Sequence, residues 1–503
     1  GTERNNTMKE WTREERYKQI SDYSDNYLDE LAKRVAQSPF RQNYHIQPNT
    51  GLLNDPNGFT YFDGKWHLFY QWFPMGAVHG LKHWYHLTST DLVQWKEEGV
   101  ALLPDTAYDS HGVYSGSGFV KDGQLHVMYT GNVRTEKWER VPNQIVARME
   151  ADGSFTKFLP PAIAGNPEGY TDHVRDPKVW EQHGIYYTVI GAQRSDETGT
   201  ILMYRSKDAL EWELMGEVDA GLPDFGYMWE CPDLFEIDGK TVLLFSPQGI
   251  EPEGDRYHNI FQTGYVIADD FRMDELKLEH DGFQELDAGF DFYATQTAES
   301  PDGRRILTAW MGLPDVAYPT DSEDWAHCLT LPRELSLKDG KLIQQPVREL
   351  VALRKEQALS ESGLLSEAKH FERSGANCYE LKLDVAFPAT ADHAPVTLDL
   401  CEDATNDKRF RITLDPTTKK ITIDRSRCGI PFAEEFGTTR TLSVEQMEAV
   451  KLQIFVDTSS IEIFVNDGEG TFTSRVFPQA GETCLSLAAG STIDYSLELW
   501  EFA

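Results

Sequence analysis

The sequence predicts an all-β chain: a five-bladed β-propeller, then a C-terminal antiparallel β-sandwich, with a short N-terminal helical segment. Three observations lead there. Asp-Gly or His-Gly turns recur at Gly64, Gly123, Gly184, Gly239 and Gly303, each followed by an apolar strand, with spacings of 59, 61, 55 and 64 residues. That period suits a four-stranded blade. Ser89-x-Asp91-x-x-x-Trp95 returns as Ser206-x-Asp208-x-x-x-Trp212, a turn whose Trp anchors the next strand. Beyond about residue 367 the strands alternate strictly between polar and apolar, as in Tyr379 to Val385, the pattern of a sandwich with one wet face.

Residues 9–38 read as helix, opened by a capping box at Thr12-Arg13-Glu14-Glu15 and stopped by Pro39. From 40 to 345 short strands follow one another, among them Trp66 to Trp72, Leu125 to Thr130, Ile185 to Ile190, Val242 to Phe245 and Ile306 to Trp310. Val347, Leu350, Leu353 and Arg354 sit at helical spacing and predict a linker helix over 346–366. Asp415-Pro416-Thr417-Thr418 marks a hairpin, and Asn466-Asp467-Gly468 ends a strand over Ile461 to Val465. The predicted division is therefore 1–38, 39–345, 346–366 and 367–503.

The chain has 503 residues, 47 basic and 82 acidic, for a net charge of −35. So acidic a surface argues against nucleic acid and anionic membranes as partners, and any anion site must be locally basic. No run approaches the roughly 18 apolar residues of a membrane span. Six cysteines without a C-x-x-C pattern predict no metal, no cofactor, and free thiols in a reducing cytoplasm. A polar, charged N-terminal stretch does not read as a secretion signal.

Stepping back eight or nine residues from each turn glycine reaches Asp55, Tyr114, Asp176, Glu230 and Ala294. The first strand of every blade lines a propeller's channel, so Asp55, Asp176 and Glu230 should face one funnel. Three carboxylates in one pocket cannot all ionise cheaply, and at least one pKa must rise. One ionised and one protonated carboxyl group is the equipment of glycoside hydrolysis. Asn54, Asn57, Gln71, Ser115 and Arg175 can bond sugar hydroxyls; Trp72, Phe119, Trp229 and Trp310 can pack on a sugar face. Taken singly, Asp55 suits a turn, Asp176 an ion pair with Arg175, and each aromatic a core. Their joint recurrence is what favours a site, and it leaves the roles of the three acids open.

Asn54-Asp55-Pro56-Asn57-Gly58, Tyr114-Ser115-Gly116-Ser117, Arg175-Asp176-Pro177, Glu230-Cys231-Pro232 and Phe292-Tyr293-Ala294 together resemble the signature set of glycoside hydrolase family 32, the β-fructofuranosidases. Val456-Asp457-x-Ser459-Ser460-x-Glu462-Ile463-Phe464 is similar to that family's C-terminal sandwich. The resemblance implies retention at the fructosyl carbon, with Asp55 as nucleophile, Glu230 as acid then base, and Asp176 stabilising the transition state. It also implies small sugars as substrates: sucrose, its phosphate, or short fructo-oligosaccharides. An exo-acting fructan hydrolase and a non-catalytic sugar-binding propeller are the alternatives. Gln71-Trp72-Phe73-Pro74 and Ala77-Val78-His79-Gly80-Leu81-Lys82-His83-Trp84 resemble the sucrose-6-phosphate hydrolase branch. His79, Lys82 and His83 are accordingly candidates for a phosphate or leaving-group subsite, with Arg134, Lys137 and Arg140 adding positive charge.

Overall fold

The computed structural model describes residues 9–388 and 393–502. Residues 1–8, 389–392 and 503, the ends and one short stretch of the predicted division, lie outside the described residues.

Five sheets of four main strands each occupy residues 51–346, and two six-stranded sheets follow. The inner strands of blades 1 to 5 are Gly51–Phe62, Val113–Lys121, Tyr170–Gln182, Met228–Ile237 and Tyr293–Glu299. Each lies against the next, and the fifth returns to the first, so the ring closes. Trp325–Ala326, beyond the second strand of blade 5, pairs in parallel with Gly51 and Leu52, tying the end of the ring to its beginning. Four of the blade turns place both central residues at positive φ (Asp63 and Gly64, Asp122 and Gly123, His183 and Gly184, Asp238 and Gly239). Those are the mirror-image turns whose twist matches a hairpin. In the fifth the turn is longer, running from Ser300 to Arg304 around Gly303.

All five inner strands carry the same irregularity. Between Leu53 and Pro56, Val113 and Gly116, Arg175 and Lys178, Glu230 and Asp233, and Tyr293 and Gln296, the inner strand advances three residues while its partner advances two. Each is a one-residue bulge, a device that bends a strand and re-aims its side chains. This refines the matched phase of the acids. Counted from the last paired residue before the bulge, Asp55 is second, Asp176 is first, and Glu230 is that residue itself.

In the sandwich, Leu381, Leu383, Leu398, Ile412, Ile454, Leu487 and Leu497 fill a buried core between the two sheets. Hydrogen-bonded charges fasten it to the propeller. Arg333 of blade 5 donates to Glu462 at 3.0 Å and to Thr473 at 2.7 Å, and His45 sits between Asp457 and Glu462 at 2.8 and 2.6 Å. Burial works against a charge on His45, yet these two carboxylates raise it to about 10.

Two expectations need correction. The continuous helix over 9–38 is instead α1 (Arg13–Arg16), a 3₁₀ turn (Ile20–Asp22) and α2 (Tyr27–Val35). The capping box forms: Glu15 N donates to Thr12 Oγ1 and Thr12 N to Glu15 Oε1, both at 3.2 Å. Polar side chains then break the run, as where Asp22 Oδ2 accepts Gln19 N at 3.0 Å, a local bond that competes with helix. The linker helix over 346–366 shrinks to a 3₁₀ segment, Arg348–Leu353, and Gln357–Leu365 is an edge strand paired to Ile493–Glu501. Leu359 and Leu365 pack onto the sandwich core, so sheet packing overrides the helical spacing.

Candidate active site

The three acids meet in a pocket of about 590 Å³ at one end of the channel, floored by Asn54, Asp55, Gln71, Asp176, Glu230 and Tyr293. That volume suits a small ligand. Asp55 accepts from Ser115 Oγ and, at 3.3 Å, from Asn54 Nδ2. Asp176 accepts the Cys231 N–H at 3.0 Å, and the Cys231 thiol lies 3.5 Å from both Asp55 and Asp176. Carboxylate oxygens of Asp55 and Asp176 and that sulfur all lie within 4.8 Å of one another. Glu230 accepts from Arg175 Nε at 2.9 Å, from Gln248 Nε2 at 2.8 Å and from the Tyr293 hydroxyl.

The electrostatics follow from this crowding. Burial, then the charge of Glu230, raises Asp55, against the donors Ser115 and Asn54 and the cation Lys82. Burial, then Glu230 and Asp55, raises Asp176 to about 7. Burial disfavours the Arg175 cation, but Glu230 and Asp176 more than compensate and hold it charged. Burial and mutual repulsion therefore work against ionising Asp55 and Asp176 together. Asp55 and Asp176 face one another, while Glu230 stands apart in its own set of donors.

Most of the predicted residues gather here. Asn54, Gln71, Tyr114, Arg175 and Trp310 line the pocket, and Ser115 lies directly behind Asp55. Trp310 is 1% exposed, and among the described residues its Nε1 meets no hydrogen-bond acceptor. Asn57 supports the loop, donating to the Asp55 carbonyl and accepting Gly116 N, both at 3.1 Å.

Other predicted residues are elsewhere. Trp72 is buried in blade 1, donating to Thr50 O at 2.7 Å and packing on Tyr85, because its strand position turns it from the channel. Phe119 and Trp229 belong to cores between blades. His83 is buried, donates to Leu81 O at 3.0 Å, and does not line the pocket. Lys82 and His79 line it, on the side of Asn54. Lys82 Nζ donates to Asn54 Oδ1 at 2.7 Å and to His79 Nδ1 at 2.9 Å. Burial lowers Lys82 to about 7 despite the opposing pull of Asp55, and burial plus Lys82 keep His79 well below its usual value. This pair orients Asn54 beside Asp55. Lys137 is exposed and outside the pocket, whereas Arg134 and Arg140 line it.

Sequence reasoning missed Gln248, the role of Tyr293, and the N-terminal residues Trp11, Arg13, Arg16 and Tyr17. Gln248 pairs across the strand with Met228, a register that the sequence does not display. Arg13 and Arg16 arrive on a helix whose docking is tertiary.

Residues 45–346 match the family model of glycosyl hydrolases family 32, N-terminal domain, and residues 349–501 match the family 32 C-terminal model. A sucrose-6-phosphate hydrolase of Staphylococcus xylosus is 46% identical over 97% of this chain and 97% of that protein. The structure of a sucrose-6-phosphate hydrolase from Lactobacillus gasseri is 38% identical, with a TM-score of 0.91, covering 98% of this chain and 99% of that one. A GH32 β-fructofuranosidase from Bombyx mori is 33% identical, with a TM-score of 0.80, covering 95% of this chain and 98% of that one.

Proposed function

The chain belongs to glycosyl hydrolases family 32, and within it we propose a retaining β-fructofuranosidase that cleaves sucrose 6-phosphate and sucrose. One observation carries the reading: Asp55, Asp176 and Glu230 stand on bulges of three different blades and share one pocket, in two distinct polar settings. In this reading the fructosyl ring lies over Asp55 and Asp176. Ser115 and Asn54 hold Asp55 so that one oxygen attacks the anomeric carbon, forming a fructosyl ester as the glycosidic C–O bond breaks. Glu230 protonates the departing oxygen, then takes a proton from the water that hydrolyses the ester. Arg175, Gln248 and Tyr293 fix that carboxyl group. Asp176, held by the Cys231 N–H, bonds fructose hydroxyls and stabilises the positive charge of the transition state.

The substrate is a small sugar. Among the described residues no helix is long and apolar enough to cross a membrane. The cysteines are all free, five of them buried, which fits a reducing cytoplasm. The test compares kcat/KM for sucrose, sucrose 6-phosphate, 1-kestose and inulin. The highest value is expected on sucrose 6-phosphate; a clear preference for 1-kestose or inulin would replace this reading with a fructan exo-hydrolase.

A further inference from the structure

If the leaving group is a phosphorylated sugar, the pocket needs an anion site, and its cations are unevenly placed. Lys82 already donates to Asn54 and to His79 on the nucleophile side, away from the larger group of cations. From Glu230 the contacts run outward instead. Arg175 donates to Glu230 at 2.9 Å and to His173 Nδ1 at 2.7 Å, and Arg140 donates to the same His173 nitrogen at 2.8 Å. Burial and the two arginines drive His173 down to about 3, so it is a neutral acceptor between cations. Arg140 is thus one imidazole removed from the arginine that grips the proposed acid, on the side where the departing sugar must lie.

Arg134 and Arg13 complete the group. Both lie over the Trp138 ring, at 5.4 and 4.2 Å, and Trp138 itself adopts φ 65, a costly backbone for a bulky residue. The helix bearing Arg13 is docked across the pocket mouth: Arg16 Nη1 donates to His79 O at 3.1 Å, Leu81 N donates to Arg16 O at 2.8 Å, and Tyr17 packs on Trp138 at 5.1 Å. Among the described residues, neighbouring arginines are ion-paired, Arg148 to Glu150 and Arg194 to Glu217, but Arg13, Arg134 and Arg140 pair with no carboxylate. The buried Nε atoms of Arg134 and Arg140 also lack any acceptor. Stacking on Trp138 accounts for two guanidinia, but not for three clustered cations, two of them with an unmet donor, in a chain of net charge −35.

We propose that Arg13, Arg134 and Arg140 bind the phosphate monoester of the leaving sugar, with the N-terminal helix completing the subsite. Guanidinium forks suit phosphate oxygens in number and geometry. The inference rests on the proposed phosphorylated substrate, and the experiment separates the two. Arg13→Gln, Arg134→Gln and Arg140→Gln are compared with wild type on sucrose 6-phosphate and sucrose, and for inhibition by glucose 6-phosphate and by glucose. Each variant should lose about tenfold more kcat/KM on sucrose 6-phosphate than on sucrose, chiefly through KM, with a matching weakening of glucose 6-phosphate inhibition. Arg13 is exposed, so its variant keeps the test valid should the half-buried ones fold poorly. A wild type that treats both sugars alike would remove the phosphorylated substrate and this subsite together. A selective wild type whose selectivity survives in all three variants would overturn the subsite alone.

Discussion

Asp176→Asn should stabilise the protein while disabling it. Asp176 is 6% exposed, and burial with the charges of Glu230 and Asp55 raises its pKa from 3.8 to about 7. A shift of roughly 3 units corresponds to about 4 kcal/mol of penalty on the ionised form. The pull of Arg175 is already contained in that shift, and the amide retains an acceptor for Cys231 N, so the expected gain is about 4 kcal/mol, or about 4 °C in Tm at roughly 2 cal/mol/K of unfolding entropy per residue. The sign with pH follows. Below 3.8 the group is protonated both folded and unfolded, and there is no penalty. Between 3.8 and about 7 the folded state binds the extra proton, so wild-type stability falls as pH rises; above 7 the penalty is complete. The assay is thermal unfolding of both proteins across pH 4 to 8, with turnover measured in parallel. The variant's advantage should be near zero at pH 4 and full at pH 8, with activity down about 10²–10³-fold. A variant less stable than wild type at pH 8, or equally advantaged at both ends, would refute the reasoning.

Two further outcomes are expected. Glu230→Gln should cost about 10²–10⁴ in kcat/KM on sucrose but far less in kcat/KM on an aryl fructoside, whose leaving group needs no proton; equal losses in kcat/KM would remove the acid role. His45→Gln should destabilise by about 3 kcal/mol at pH 6, because it leaves Asp457 and Glu462 buried without their cation. His45 is raised from 6.5 to about 10, so its contribution is full below 6.5 and lost as pH rises through 10. Stability curves of the two proteins that fail to converge over that window would contradict it.

The sequence made the blade repeat legible because its turns demand particular residues: Asp-Gly or His-Gly with both residues at positive φ recurs in four of the five blades. Acid recurrence revealed the pocket for a related reason, since a bulge in every inner strand aims one stretch of each blade at the same axis. The sandwich alternation and the capping box at Thr12 were equally local signals. What stayed hidden was tertiary. Trp72 and His83 sit among motif residues, yet strand pleat turns them away from the channel. Gln357–Leu365 has helical-looking neighbours but becomes a strand only because Ile493–Glu501 offers an edge. Arg13 reaches the pocket through helix docking, which no spacing announces.

Capture of the fructosyl-enzyme tests the central claim most directly. Glu230→Gln, given an activated aryl fructoside, should form the ester quickly and hydrolyse it slowly, because the second step lacks its base. Peptide mass spectrometry after acid quench should then find one added fructosyl mass on the peptide carrying Asp55, and none when Asp55→Asn is combined with it. No adduct, or an adduct on the peptide carrying Asp176, would contradict the assignment.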